Sequence, residues 1–308
     1  MNNIYLRSKE SLKSIMFKII FAIIPLLLAG FYKNGIKLYT GHFVDFIGMF
    51  KPLVLDVFGF LIGISINVIY ESLVKKNRSI KDAMFSSFYP LYGLLIASVI
   101  SINTKVWLFV VVTFICLLIS KFINKNSINV IALTALIIIF ITKLIYGFTF
   151  LNFYEQVNTL HLNTVDYLIG RGSGGINTSH VLILGFSLLL LCNINAYKKE
   201  IPIYSIIVYS ACMIIYSIFT NKLGVVLDNI FSNGILFSLV FIAPDFISSS
   251  YTAKGKIIYS IIVGISSFGL FLVYPPLSAL GGILIASITH SIIDKIVLGK
   301  EKNKKLLR

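Results

Sequence analysis

The chain has 308 residues, of which 57% are apolar and only 13% charged, and its mean hydropathy is +0.91. A water-soluble domain carries about a quarter charged residues. That class is excluded, and the formal charge of +15 must be explained within a membrane protein.

Apolar stretches of spanning length recur from end to end, each able to cross roughly 30 Å of hydrocarbon as a helix. They lack the period-two alternation of a barrel, and lipid admits only helices or closed barrels. The sequence therefore reads as an all-α polytopic membrane protein, one integral membrane domain over 1–308 with about ten spans. In chain order the spans fall near 15–32, 52–72, 83–101, 106–123, 128–150, 179–196, 202–220, 231–247, 257–274 and 278–297. The first is too long, and too closely followed by others, for a cleaved signal peptide. Between the first two, 35–51 mixes Lys37, His42, Asp45 and Lys51 with aromatics and reads as interfacial. Basic breaks at Lys75 to Arg78 and at Lys198 and Lys199 are clear, and Pro202 after the latter suits a helix start. Tyr274, Pro275 and Pro276 break the helix between the last two spans. An outside loop, 151–178, separates a first helical half, about 14–150, from a second, about 179–297, and a basic tail covers 298–308. Transporter folds often duplicate a bundle in this way, although the two halves are not visibly alike in sequence.

Charge sets the orientation. With the N-terminus inside, the inside breaks and tail hold 19 of the 27 basic residues, including Lys75, Lys76, Arg78, Lys121, Lys198, Lys199, Lys254 and Lys256. The outside segments hold Lys33, Lys37, Lys51, Lys105, Arg171 and Lys222. This is the positive-inside pattern with both ends inside. The net charge is mostly a topology signal, with some attraction to anionic lipid. No zinc spacing, aromatic RNA-binding pattern or soluble basic domain accompanies it, so nucleic acid is not an expected partner. Cys116, Cys192 and Cys212 all lie in spans and read as small buried hydrophobes.

Two segments stand out for chemistry. The first runs from Thr164 and Asp166 to Arg171, Gly172, Ser173, Gly174, Gly175, Asn177, Thr178, Ser179 and His180. Its glycines allow a tight turn or close approach to an anionic ligand. Asn177, Thr178 or Ser179 is placed to cap the sixth helix, whose N-terminus would attract phosphate, and Arg171 to add a charge-assisted contact. The plainer reading is a flexible connector with an ordinary cap. The second segment is Phe241 to Thr252, where Pro244 ends the eighth span and Asp245 sits among hydroxyls from Ser248 onward. An intramembrane carboxylate is costly unless paired or wet; the plainer reading is a helix exit with a capping Asp. Asp56, Glu71, Lys143 and Asp228 also lie unusually near hydrocarbon, with Lys75 or Lys76 as partner candidates for Glu71. Lys143 needs a partner or must snorkel. No histidine–carboxylate metal motif, P-loop, GxSxG or dinucleotide fingerprint occurs. Any reaction would rest on a bound cofactor; otherwise the chain transports without chemistry.

Several of these stretches together resemble the RnfD/NqrB family, membrane subunits of ion-translocating electron-transfer complexes. Ser14 to Met16, then Ala22 and Pro25, resemble the family's opening span. Tyr70 to Leu73 and Ser86 to Leu95 resemble its next conserved region, and Gly170 to Gly185 its "GsiGEtS" helix entry. Gly234 to Gly255 resembles "G…FMaTDPvTsp…G", with Asp245 on the aspartate; Tyr274, Pro275, Ile293 and Asp294 resemble the borders of the last helix. The resemblance is closest to RnfD, because the longer N-terminal region of NqrB is missing, and it implies a urea-channel-like architecture of two five-helix halves. It also implies a flavin, FMN or riboflavin, other Rnf-like membrane and redox subunits as partners, lipid surroundings, and a bacterial cell membrane.

Departures from the family bear on the flavin. Members carry FMN on the threonine of a D-x-x-S/T-G-A-T signature, which aligns with Thr164. Asn158 then replaces the aspartate, and His161, Leu162 and Asn163 replace the S-G-A portion. The "GGxGxNxFNPA" segment has become Asn124 to Thr134, keeping Asn129 and Ala132 but no glycine. Pro244 stands for threonine, Phe246 for proline, Asn177 for the motif glutamate and Pro276 for another. The resemblance thus implies Thr164, Arg171, Gly172, Gly174, Gly175, Thr178, Ser179, Asp245 and Ser248 as cofactor-side residues, with noncovalent flavin favoured over a bond to Thr164. The competing reading is a channel or transporter for a small neutral or cationic solute.

Overall fold

The computed structural model describes residues 11–74, 79–123, 128–147, 163–221 and 226–306. All regular elements among these residues are helical. In chain order they are α1 (Leu12–Thr40), α2 (Lys51–Leu73), α3 (Tyr89–Val99), α4 (Val106–Ile123) and α5 (Val130–Tyr146). The second half begins with the short α6 (Thr164–Ile169), followed by α7 (Val181–Cys192), α8 (Glu200–Phe219) and α9 (Val226–Phe231). Then come α10 (Ile235–Phe237, continued by a π turn over Ser238–Ile242), α11 (Ala253–Val273) and α12 (Ser278–Leu306).

Among the described residues, six helices are long and apolar enough to cross a membrane. Of the four other expected spans, 128–150 is the 17-residue α5 over its described part, and three are built differently. The stretch 83–101 yields only the 11 residues of α3, about 16 Å of helix, which cannot cross hydrocarbon alone. Likewise 231–247 is interrupted at Ser232 to Gly234 before α10, and 179–196 contracts to the 12 residues of α7. Hydropathy averaged over a span does not see these interruptions, because the few polar residues at the breaks, such as Ser86, Ser87, Asn193, Ser232 and Asn233, are outweighed by apolar neighbours. The first span runs longer than expected: α1 continues through a π turn at Tyr32–Ile36 as far as Thr40. Only Phe46–Met49 of the expected interfacial segment is a separate short helix. The break at Tyr274 to Pro276 is present as a single 3-10 turn, Pro275–Leu277. The basic tail is the end of α12, helical to Leu306.

Local signals explain several boundaries. Ser11, Asn129 and Thr252 cap α1, α5 and α11 by accepting from Ser14, Ala132 and Gly255 backbone N–H groups. Gly147 ends α5 in the left-handed conformation, φ 76°. Lys143 meets the face of Tyr274, its Nζ 3.6 Å from the ring centroid, a cation–π contact that answers the expected need for a partner.

α3 is held by an unusually close crossing with α2. A Cβ on Gly59 would meet the Gly93 carbonyl, and one on Gly63 would meet the Tyr89 carbonyl and Pro90. Small residues let the backbones touch, the usual device where lipid removes any hydrophobic drive between helices. In the second half, Gly264 lies against Val208 of α8, and Ser266 Oγ donates to the Gly282 carbonyl of α12 at 3.1 Å. These small residues pack within the chain; Gly269 alone of the glycines on α11 has open space around it.

The crossing predicts that Gly59→Leu and Gly93→Leu each lower the detergent melting temperature or abolish folding, since overpacking costs at least about 1–3 kcal/mol. Gly269→Leu should leave it unchanged. Equal melting for all three would refute the close crossing.

Candidate functional site

Two of the short membrane elements, α3 and α10, run antiparallel and share their ends. One shared end lies at the loop 170–180, on the face that bears α6. There Ile176 and Asn177 donate their backbone N–H groups to the Ile100 and Ser98 carbonyls, both at 3.0 Å, at the end of α3. The same loop meets the start of α10: Asn233 N donates to the Ser173 carbonyl at 2.8 Å. The other shared end lies on the opposite face, where Tyr92 Oη in the first turn of α3 donates to Asp245 Oδ1 at 2.7 Å. Phe88 and Phe246 stack there with centroids 4.8 Å apart and planes 7° from parallel.

The cofactor-side residues expected from sequence therefore do not form one site. Thr164 to Ser179 lie on the α6 face, while Asp245 and Ser248 lie on the other. Tyr92 and Ser98 mark the two levels on α3, six residues or about 9 Å apart along its axis.

On the α6 face, Thr164 is exposed at the start of α6. Asp166 closes a capping box with Asn163 and forms an ion pair with Arg171 at 2.6 Å. Gly170 ends α6 with φ 97°, a left-handed position where a Cβ would also strike the His180 ring. Gly175 allows the loop to lie on α3, since a Cβ there would sit 2.5 Å from the Val99 carbonyl oxygen. Gly172 and Gly174 face Tyr167 and Thr178.

The expected cap of the sixth helix is different in fact. The N-cap position is His180, with no side-chain cap bond. Asn177 instead turns its amide to both carboxylate oxygens of Asp56, at 3.0 and 3.1 Å, and to Ser98 Oγ. Thr178 Oγ1 donates to the Gly175 carbonyl, and Ser179 Oγ accepts from Lys33 Nζ at 2.8 Å. All three side chains are buried and serve the loop's own packing. Asn177 and Lys33 are the residues sequence reasoning undervalued. The signals for Asn177 were its place on the family's glutamate and a capping position it does not fill.

On the opposite face Asp245 acts as the expected helix-exit cap. Its Oδ2 accepts from Ser248 N at 2.9 Å and Ser248 Oγ at 2.7 Å. Lys198, expected only as a topology charge, threads into this turn. Its Nζ donates to the Asp245, Phe246 and Ser249 carbonyls and to Ser249 Oγ, the last at 2.7 Å. Burial pushes the Lys198 ammonium down to about 8 from 10.5, against the pull of Asp245. Lys121 is likewise engaged, at Ser87 Oγ (2.7 Å) and over the Tyr89 ring. Lys75 and Lys76, candidate partners for Glu71, lie outside the described residues. So do Asn158, His161 and Leu162 of the flavin signature.

Long apolar helices paired with two interrupted ones, each buried among its neighbours, define a multi-pass membrane protein. A family model described as the NQR2, RnfD, RnfE family matches residues 1–302, and the chain belongs to that family. No curated protein matches the chain. Membership makes it a membrane subunit of multi-subunit Rnf/Nqr-type electron- and ion-transport complexes.

Two outcomes test this geometry. Gly175→Ala should loosen the loop and speed proteolysis between 163 and 180, whereas Gly185→Ala, with nothing within 4 Å of its Cβ position, should not. For Lys198, the folded chain releases its proton from about pH 8 while the unfolded chain holds it to about 10.5. The unfolded state then binds more protons, so this group adds stability as pH rises through that window. The melting temperature of the native chain should rise relative to Lys198→Arg, which stays charged; a constant difference would refute the assignment.

Proposed function

We propose that the chain is the RnfD-like subunit of an ion-translocating oxidoreductase, holding a flavin on its external side and relaying electrons between partner subunits, coupled to Na⁺ or H⁺ movement. The observation that carries this reading is the family match over residues 1–302. The chain lies in a bacterial cell membrane, the inner membrane where there are two, with both termini cytoplasmic. The basic bias of the breaks opposite α6 supports that orientation.

A flavin, FMN or riboflavin, would supply the electron chemistry. The residues on the α6 face fit such a group unevenly. Thr164 is exposed and sterically free to carry a phosphoester, and Arg171, with 45% of its side chain exposed, is available to a phosphate beside its Asp166 partner. Thr178 and Ser179 are buried and bonded within the protein, Thr178 to the Gly175 carbonyl and Ser179 to Lys33, which also holds the Gly172 carbonyl. With the residues before Thr164 so unlike the attachment signature, noncovalent binding is the proposal. Asp245 and Ser248 brace the opposite end of the α3–α10 pair.

The packing at the opposite end favours a relay over a solute channel. The cavities beside Asp245 hold only about 20 and 10 Å³, room for about one water each. The Phe88–Phe246 stack lies next to them.

The chain isolated with its native partners should show flavin absorbance, and a flavin-free preparation would overturn the reading. Denaturing gels of that holoprotein should show no flavin fluorescence. A gel signal lost in Thr164→Ala and kept in Ser173→Ala would instead establish covalent attachment.

A further inference from the structure

Lys33 is a buried cation with no charged partner in its hydrogen bonds. It is nine-tenths buried near the outer end of α1. Its Nζ donates to the Gly172 carbonyl at 2.6 Å and to Ser179 Oγ at 2.8 Å, both uncharged acceptors. A buried charge is costly unless an opposite charge or a metal answers it. Two features of the backbone aim it there. The π turn Tyr32–Ile36 shifts the helix register at Lys33, and π turns inside α-helices concentrate at functional positions. Asn34 in the same turn pins the loop by donating to the Ile176 carbonyl at 2.7 Å.

Beside Lys33 lies a cavity of about 500 Å³ between α1, the end of α6 and the start of α7. Its outer end carries Lys33, Lys37, Arg171 and His180, and no carboxylate lines it among the described residues. Its inner end is walled by Pro25, Leu28 and Ile183. Leu28 and Tyr32 on its rim are 63% and 52% exposed, on the outward side of a helix long and apolar enough to cross a membrane. The cavity thus opens sideways to lipid, cationic at headgroup height and apolar below. From Lys33 to Pro25 is eight residues, about 12 Å of helix, the start of an acyl chain.

We propose that this cavity seats an anionic phospholipid of the outer leaflet, its phosphate on Lys33 and Lys37 and one acyl chain along Leu28 and Ile183. The lipid supplies the missing negative charge and wedges α1 against the loop. The proposal does not rest on the flavin reading.

The test uses the full chain reconstituted in nanodiscs of equal phosphatidylglycerol and phosphatidylcholine, re-extracted in mild detergent, with retained lipid measured by mass spectrometry. The native chain should retain phosphatidylglycerol selectively, and Lys33→Gln should lower that enrichment about tenfold, the loss of one charge-assisted contact. Ile183→Trp fills the apolar end, leaves every cation in place, and should also lose the lipid; it keeps the test decisive should Lys33→Gln fail to fold. Equal retention of both lipids, or enrichment untouched by both substitutions, would overturn the proposal. So would displacement of the lipid by added FMN or by inorganic phosphate, which would assign the cations to a soluble phosphate. Electron transfer enters none of these readouts, so their failure leaves the flavin reading standing.

Discussion

A peptide carbonyl left bare in hydrocarbon costs several kcal/mol, and every helix ends in carbonyls without partners. Long helices place those ends in water. α3 and α10 stop within the protein, and the rest of the structure is arranged around their ends. For α3, the backbone of Ile176 and Asn177 takes up the Ile100 and Ser98 carbonyls. For α10, Tyr197 Oη takes the Val240 carbonyl, Asn129 Nδ2 the Ile242 carbonyl and Tyr259 Oη the Ala243 carbonyl. Each short helix is thus closed by residues from elements far away in sequence. The glycine-rich loop and the entry to α5 are structural necessities before they are anything else.

This changes the meaning of the family motifs. Asn129 survives in a segment that has lost its glycines because its side chain both caps α5 and closes α10. Asn177 replaces a glutamate without loss of its packing role, since its amide reaches Asp56 and Ser98 together. A glutamate there would face Asp56 as a second buried carboxylate. The neutral residue and the retained aspartate are consistent with each other.

The helical membrane class, the long spans and the proline break near Tyr274 were legible in the sequence, because apolar length and Pro chemistry act locally. The short helices were not. Residues 83–101 and 231–247 are apolar enough on average to read as whole spans, and what shortens their helices is set by partners: Gly59 and Gly63 under α3, Asn129 at the end of α10. The site was legible as a list of residues and not as a place. The family resemblance brought Asp245 and Thr164 into one list, while the fold sets them at opposite ends of the α3–α10 pair. Lys33 and Lys198 were read as topology charges, because nothing local distinguishes a lysine in water from one folded onto carbonyls.

The antiparallel setting of α3 and α10 also has an electrical consequence. Each shared end receives the positive start of one helix and the negative end of the other. Along the membrane normal the two dipoles oppose, so the pair adds little net field between the faces. A charge passing from the Arg171 side to the Asp245 side would meet little slope from this pair in either direction. Any preference for direction then comes from the side chains and from the neighbouring subunits.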